Sequence, residues 1–292
     1  MTLPQQDDAA LYVGLDVGGT KLLVAGADAD GRILRRVKQP TPLALDEGLD
    51  ALHRMIETVT GGREITAMAA AIGGPLDWRT GVVSPLHQPE WRQIPLAAIM
   101  TERYRCRFHV DVDTNICAVG EYHFGGLQAK KLLYVTLSTG MGGGFLVDGQ
   151  VYRGKDGEHP EIAHQSINFR CSRPERVTCE CGGPDCLEAL ISGNGIRRVY
   201  GKPAENLDEH EWAEVAYNLG QGLRNLAALL LPDVIVLGGG VVLGRGEKLV
   251  APARRIMAEH LHIVPAPEVA ISRLAADTTI MGTIAVAMHG LE

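Results

Sequence analysis

Nowhere in the sequence does an apolar run approach the roughly 20 residues that span a bilayer, so a membrane-spanning protein is not expected. No stretch concentrates Lys and Arg either. The 28 basic residues stand against 35 acidic ones, a formal charge of −7, which argues against a duplex-binding face. The start, Met1 to Ala10, carries Asp7 and Asp8 and lacks a basic segment followed by an apolar one, so it does not read as a signal peptide. A reducing cytoplasm is therefore the default, and the six cysteines are read as thiols or metal ligands before disulfides. Low-complexity segments and long linkers are missing. So are a Walker A motif and a dinucleotide fingerprint, which sets aside a P-loop protein and an evident Rossmann oxidoreductase.

What is present is an ordinary α/β composition, 46% apolar and 22% charged, with 35 glycines gathered in clusters. Leu11 to Asp16 is an apolar run ending in an acid, followed by Gly18-Gly19-Thr20 and a second strand pattern from Lys21 to Ala27. Asp30-Gly31 is a hairpin signal before a third strand, Ile33 to Lys38. Leu45, Leu49, Leu52, Met55, Ile56 and Val59 recur at helical spacing up to Gly61-Gly62. Strands are expected at Ile65 to Ile72, before Gly73-Gly74-Pro75, and at Phe108 to Val112, before a helix from Asn115 to Phe124.

Lys131 to Leu137, the glycine stretch Ser138 to Gly144, and Phe145 to Val147 then repeat the opening arrangement, an internal duplication that predicts two similar lobes facing a cleft. A helix over Trp212 to Leu231, a strand from Val234 to Leu237 ending in Gly238-Gly239-Gly240, a helix from Lys248 to His260 and an apolar helix after Thr278 complete an α/β alternation. The expected lobes are residues 1–114, completed by 278–292, and residues 115–277.

Asp16, Gly18, Gly19, Thr20 and Lys21 form a phosphate-cradle candidate: backbone without Cβ groups admits phosphate oxygens, and an acid at the strand end can hold magnesium through water. A tight hairpin explains the same residues. Thr139, Gly140, Gly142, Gly143 and Gly144 form a second such turn, and Gly238, Gly239 and Gly240 a third. Asp113 follows a strand and precedes a helix, a position suited to a general base for an attacking hydroxyl; capping the helix is the alternative.

His164 with Cys179, Cys181 and Cys186 supplies one imidazole and three thiolates, enough for a closed tetrahedral zinc site that would be structural because no position stays open. Chance clustering or a disulfide is the alternative, and Cys171 is a competing ligand. Glu161 and Glu188 flank this cluster, and carboxylates fixed there suit sugar hydroxyls; ordinary surface glutamates are the alternative.

From Tyr12 to the last helix, these motifs and their order resemble the repressor/ORF/kinase (ROK) family of bacterial sugar kinases. Asp16 to Lys21 match its first phosphate motif, Thr139 to Gly144 its second, Gly238 to Gly240 its nucleotide-side glycines, Glu161-Ile162-Ala163-His164 its Glu-x-Gly-His motif, and Cys179 to Glu188 its zinc motif. The resemblance implies a duplicated actin/hexokinase-like (ribonuclease H-like) fold and ATP with magnesium. It further implies phosphoryl transfer to a hexose hydroxyl, usually at C6, with Asp113 as base and Gly74, Glu161, His164 and Glu188 on the sugar side. His164 would give one ring nitrogen to zinc and the other to the sugar. A homodimer is implied by the family alone.

Three departures stand out. Val112 replaces the asparagine of the family's Asn-Asp pair, Ala163 replaces a glycine, and the segment from Ser84 to Trp91 lacks the family's asparagine. A substrate hydroxyl left without its partner costs about 1–3 kcal/mol, so the sugar stays open. Two other readings exist: a non-catalytic sugar-binding or sugar-sensing protein, motivated by Val112, and a family regulator, whose DNA-binding domain is not expected ahead of a first strand at Leu11.

Overall fold

Residues 10–127 and 129–291 are described in the structure, a computed structural model; the acidic start with Asp7 and Asp8 lies outside the described residues. The chain divides into two units, one formed by the chain up to Gly125 together with Asp277 onward, the other by Gly126–Ala276.

In the first unit, Tyr12–Val17 (β1) and Lys21–Ala27 (β2) pair antiparallel, and Ile33–Pro40 (β3) continues the hairpin as a largely exposed edge. The amphipathic Leu45–Thr60 (α1) buries Leu52, Met55, Ile56 and Val59 and ends at Gly61 in a left-handed cap donating to the Glu57 carbonyl. Ala67–Ile72 (β4) is buried at every residue and runs parallel to β1, the pattern of a strand covered on both faces. Leu76–Asp77 (β5), Val82–Val83 (β6) and Ile94–Pro95 (β7) form a small antiparallel sheet, followed by Leu96–Tyr104 (α2), Arg107–Val112 (β8) and Asp113–Phe124 (α3). The main sheet has the order β3-β2-β1-β4-β8. Its core gathers Leu15, Leu22, Met55, Ile56, Met68 and Trp91, each worth about 1.5–3 kcal/mol when fully buried.

The boundary falls at Gly125–Gly126 and not at residue 114. Packing explains the difference. The C-terminal helix Thr278–His289 lies against α3, β1 and β4. It approaches α3 so closely that a Cβ on Gly120 would sit 2.8 Å from the Gly282 Cα atom. Two glycines facing each other bring the helix backbones together, and α3 cannot leave the first unit without exposing that contact.

The second unit repeats the plan. Lys131–Leu137 (β9), Met141–Val147 (β10) and Gln150–Val151 (β11) form the antiparallel half. Leu187–Ile191 (α4), Gly193–Tyr200 (α5) and Glu209–Leu230 (α6) precede Val234–Gly238 (β12), and Gly240–Arg245 (α7) and Glu247–Glu259 (α8) lead to Glu268–Ile271 (β13). The order β11-β10-β9-β12-β13 carries the same sequence of antiparallel and parallel pairings as the first sheet. A reciprocal capping box between Asp208 and Glu211 starts α6.

Here β10 begins at Met141 and not at Phe145, so Gly142, Gly143 and Gly144 pair with β9 as strand residues and the turn itself is Ser138 to Gly140. Among the described residues no helix is long and apolar enough to cross a membrane.

Candidate functional site

In the first unit, the parallel strands β1, β4 and β8 end in one row, with Val17 paired to Ile72 and Ile72 to Val112. Carboxyl ends of parallel strands are where open α/β sheets bind ligands. Three of the expected site segments leave from this row: Gly18 to Lys21, Gly73-Gly74 and Asp113. The first turn is fixed from both sides. Gly18 N–H donates to the Lys21 carbonyl at 3.0 Å, while the Thr41 hydroxyl donates to the Gly18 carbonyl at 2.6 Å and Thr41 N–H to the Thr20 carbonyl at 3.2 Å. Thr20 and Lys21 are exposed beyond it.

Asp16, half-buried at the end of β1, has its carboxyl pushed up from 3.8 to about 6 by burial; Lys21 and Lys38 oppose the rise and the neighbouring Asp113 carboxylate adds to it. Asp113 is exposed at the first position of α3, whose cap residue is Val112 and which has no side-chain cap. The acid therefore occupies the first helical position, one residue past the cap. The organising acid is Asp111, which the sequence reading passed over: it is buried and accepts from Val112 N–H at 2.7 Å and from Asn115 Nδ2 at 3.1 Å. Alternation along β8 turns Asp111 to the face opposite Val112, yet Val110, Asp111 and Val112 are all buried, so the pattern alone does not mark the acid.

The segment after β6 lies along the same edge. Ser84 N–H donates to the Pro75 carbonyl and Leu86 N–H to the Gly74 carbonyl, at 2.9 and 3.0 Å. A Cβ on Gly19 would come within 2.9 Å of His87 Cβ, and one on Gly74 within 3.5 Å of Val112. Leu86 and His87, within the segment Ser84 to Trp91 that departs from the family pattern, are exposed here.

In the second unit, Ser138 N–H donates to the Gly140 carbonyl at 2.8 Å, and the start of α5 closes on the turn: Gly193 N–H reaches the Ser138 carbonyl at 2.7 Å and Asn194 N–H the Thr139 carbonyl at 2.9 Å. Glu188, in the first turn of α4, accepts from Met141 N–H through Oε2 at 3.0 Å. Thr139 is exposed. Gly143 packs against Ile162 and the Tyr134 carbonyl. In the third glycine run, Gly238 is buried against the Tyr134 ring, Gly239 has φ of 87° with no room for a Cβ beside Leu137, and Gly240 is exposed with open space around it.

His164, Cys179, Cys181 and Cys186 come together with their ligand atoms all within 4.8 Å of one another. A tetrahedral ion with bonds of about 2.0–2.3 Å separates its ligands by roughly 3.3–3.8 Å. Cys179 Sγ lies 3.4 Å from His164 Nδ1, and Cys181 Sγ lies 3.3 Å from Cys186 Sγ, so this donor set fits zinc. Without a cation the thiols titrate far apart: burial pushes Cys186 up to about 12, while the Gly183 N–H and the neighbouring thiols hold Cys181 near about 7. Cys171 stands outside the cluster and accepts from Arg173 N–H at 3.4 Å.

Two acids flank the cluster. Glu188 Oε1 is 4.0 Å from Cys179 Sγ, and Glu161 Oε2 is 3.9 Å from His164 Nε2. Nδ1 thus faces the thiols and Nε2 faces Glu161. His159, unmarked by any motif, flanks Glu161 from the other side, with Nε2 at 3.6 Å from Oε1.

Two sheets of identical pairing order, each with a glycine turn in its first hairpin, define the duplicated actin/hexokinase-like fold. The ROK family model matches residues 12–289, and the chain belongs to the ROK family. It is 28% identical over 279 residues to a glucokinase of Streptomyces coelicolor, with 84% of this chain and 86% of the relative covered. The crystal structure of a ROK hexokinase from Thermus thermophilus superposes with a TM-score of 0.81 at 31% identity, covering 95% of this chain and 97% of the other. A ROK family glucokinase from Streptomyces griseus in complex with glucose and AMPPNP superposes with a TM-score of 0.78 at 27% identity, covering 96% and 100%.

Proposed function

We propose that the protein is an ATP-dependent sugar kinase that transfers the γ-phosphoryl group to a hexose hydroxyl, with Asp113 as general base. The observation that carries this reading is the exposed Asp113 carboxylate at the end of β8, beside Asp16 and the first glycine turn. The sugar hydroxyl oxygen attacks the γ-phosphorus while Asp113 takes its proton; the bond from phosphorus to the bridging oxygen breaks and ADP leaves. Thr20, Lys21, Thr139 and Gly140 are the phosphate contacts of this reading, with Gly239 and Gly240 on the nucleoside side. The glucose and AMPPNP of the Streptomyces griseus relative support both substrate classes.

The carboxyl of Asp16, raised by burial, fits a place for magnesium, which would neutralise phosphate charge when bound. The Cys/His cluster would hold zinc in a closed structural site, fixing His164 and, beside it, Glu161 as sugar contacts. Val112, buried behind Gly74, presents an apolar branch where an amide would bond a hydroxyl, so the preferred hexose is set by shape at that point.

A coupled ADP-release assay with MgATP and separate glucose, mannose, fructose, allose and N-acetylated hexosamines tests the reading. Turnover with at least one, abolished by Asp113→Asn, is the expected result. Saturable sugar binding without turnover for any of them would replace it with the sugar-binding alternative.

A further inference from the structure

The helices α6 and α8 pack side by side, and together with Arg170 they line a groove of about 590 Å³. None of the glycine turns and none of the Cys/His ligands contributes to it. Two flat rings, Trp212 and Tyr217, and four cations, Arg170, Arg245, Lys248 and Arg255, share its lining. Against them stand two acids, Glu209 and Glu259.

The cations are unequally engaged. Arg245 is fixed: its guanidinium lies 5.0 Å from the Trp212 ring centre and is bonded to both Glu209 oxygens at 2.6 and 2.7 Å. Arg255 has only a 3.7 Å contact with the exposed Glu259. Arg170 stacks 3.8 Å from the Tyr217 ring centre, and among the described residues neither Arg170 nor Lys248 forms a close ion pair, although Lys248 adds to Arg245 in holding the Glu209 carboxyl below its ordinary range. A chain with a net charge of −7 thus gathers an excess of positive charge in one concave place, beside aromatic surface. Like charges held together repel unless an anion joins them, and Arg and Lys are the side chains that bind phosphate oxygens. Aromatic rings beside them favour a ligand with a ring of its own.

We infer that this groove is a second ligand site, taking a small phosphate monoester attached to a ring, either a sugar phosphate or a nucleotide. Arg170, Lys248 and Arg255 take the phosphate, and Trp212 and Tyr217 take the ring. The site is independent of phosphoryl transfer, so its test needs no turnover.

Trp212 reports on it directly, because the other tryptophans, Trp78 and Trp91, belong to the first unit. Tryptophan emission of the full chain would be titrated with inorganic phosphate, glucose 6-phosphate and AMP, with Trp212→Phe as control. A saturable change with glucose 6-phosphate or AMP is expected, absent in Trp212→Phe and weakened roughly tenfold or more in Lys248→Glu/Arg255→Glu, with no change in KM for ATP. A response to glucose 6-phosphate alone assigns a sugar phosphate, and one to AMP alone a nucleotide. Arg170→Ala, at an exposed position, should weaken the same response and stands in if the double variant does not fold. The proposal is overturned if no probe gives a Trp212-dependent change, if charge reversal leaves the affinity intact, or if inorganic phosphate binds as tightly as both ring-bearing probes.

Discussion

Asp16 and Asp113 sit at the ends of β1 and β8, close enough that one carboxylate raises the other. Asp113→Asn should preserve the fold and sugar binding while lowering kcat by about 10²–10⁴, checked by steady-state kinetics beside calorimetry. Asp16 makes a prediction of opposite sign for stability. Its carboxyl titrates near about 6 in the folded protein against an ordinary 3.8, so between those values the folded state holds a proton that the unfolded chain releases. Stability from this group therefore falls as pH rises through that window and stays reduced above it. Asp16→Asn should gain about 1–3 kcal/mol at about pH 7.5, a gain that disappears near pH 4, and should lose turnover. Denaturant melts at the two pH values check it. Asp16 and Asp113 stand out as candidates in the sequence because each lies at the carboxyl end of a strand pattern. Asp111 does not, since an acid within a strand announces burial only when the strand's neighbours are known.

Elements decide what the glycine runs do. The sequence shows Gly140 to Gly144 as one turn, yet cross-strand pairing to β9 draws Gly142 to Gly144 into β10 and leaves Ser138 to Gly140 to turn. Helical periodicity made α1 and α6 readable, whereas α4, starting directly after Cys186, and α5, which follows it, are too short to show a pattern. In the structure α4 gains a role: Glu188 joins the cysteine cluster to the second turn through Met141 N–H. Glu188→Ala should therefore raise KM for ATP roughly tenfold as well as affecting the sugar, with zinc content unchanged by metal analysis. The crossing of α3 with the C-terminal helix makes a separate prediction. A side chain at Gly282 would collide with the Ile116 backbone, so Gly282→Leu should cost more than about 2 kcal/mol in a denaturant titration.

Across the whole molecule, duplication was the most legible property, because two hairpins with glycine turns recur one lobe apart and their sheets share one pairing order. The exact division was not, since the contact that holds α3 in the first unit comes from a helix more than a hundred residues later in the chain. The Cys/His cluster lies wholly within the second unit. Chelation, or Cys181→Ser, should lower the melting temperature by more than about 5 °C and weaken sugar binding through His164 and Glu161, as measured by calorimetry; a metal-free protein of full activity and stability would reject the structural zinc. The central claim is that the exposed carboxylate of Asp113 drives transfer of a phosphoryl group from ATP to a sugar hydroxyl. Phosphorus NMR of the protein incubated with MgATP and each hexose tests it most directly: a sugar phosphomonoester signal growing with ADP, and missing with Asp113→Asn, is the expected result. A phosphomonoester formed equally well by the Asp113→Asn variant, or none formed with any hexose that binds, would contradict it.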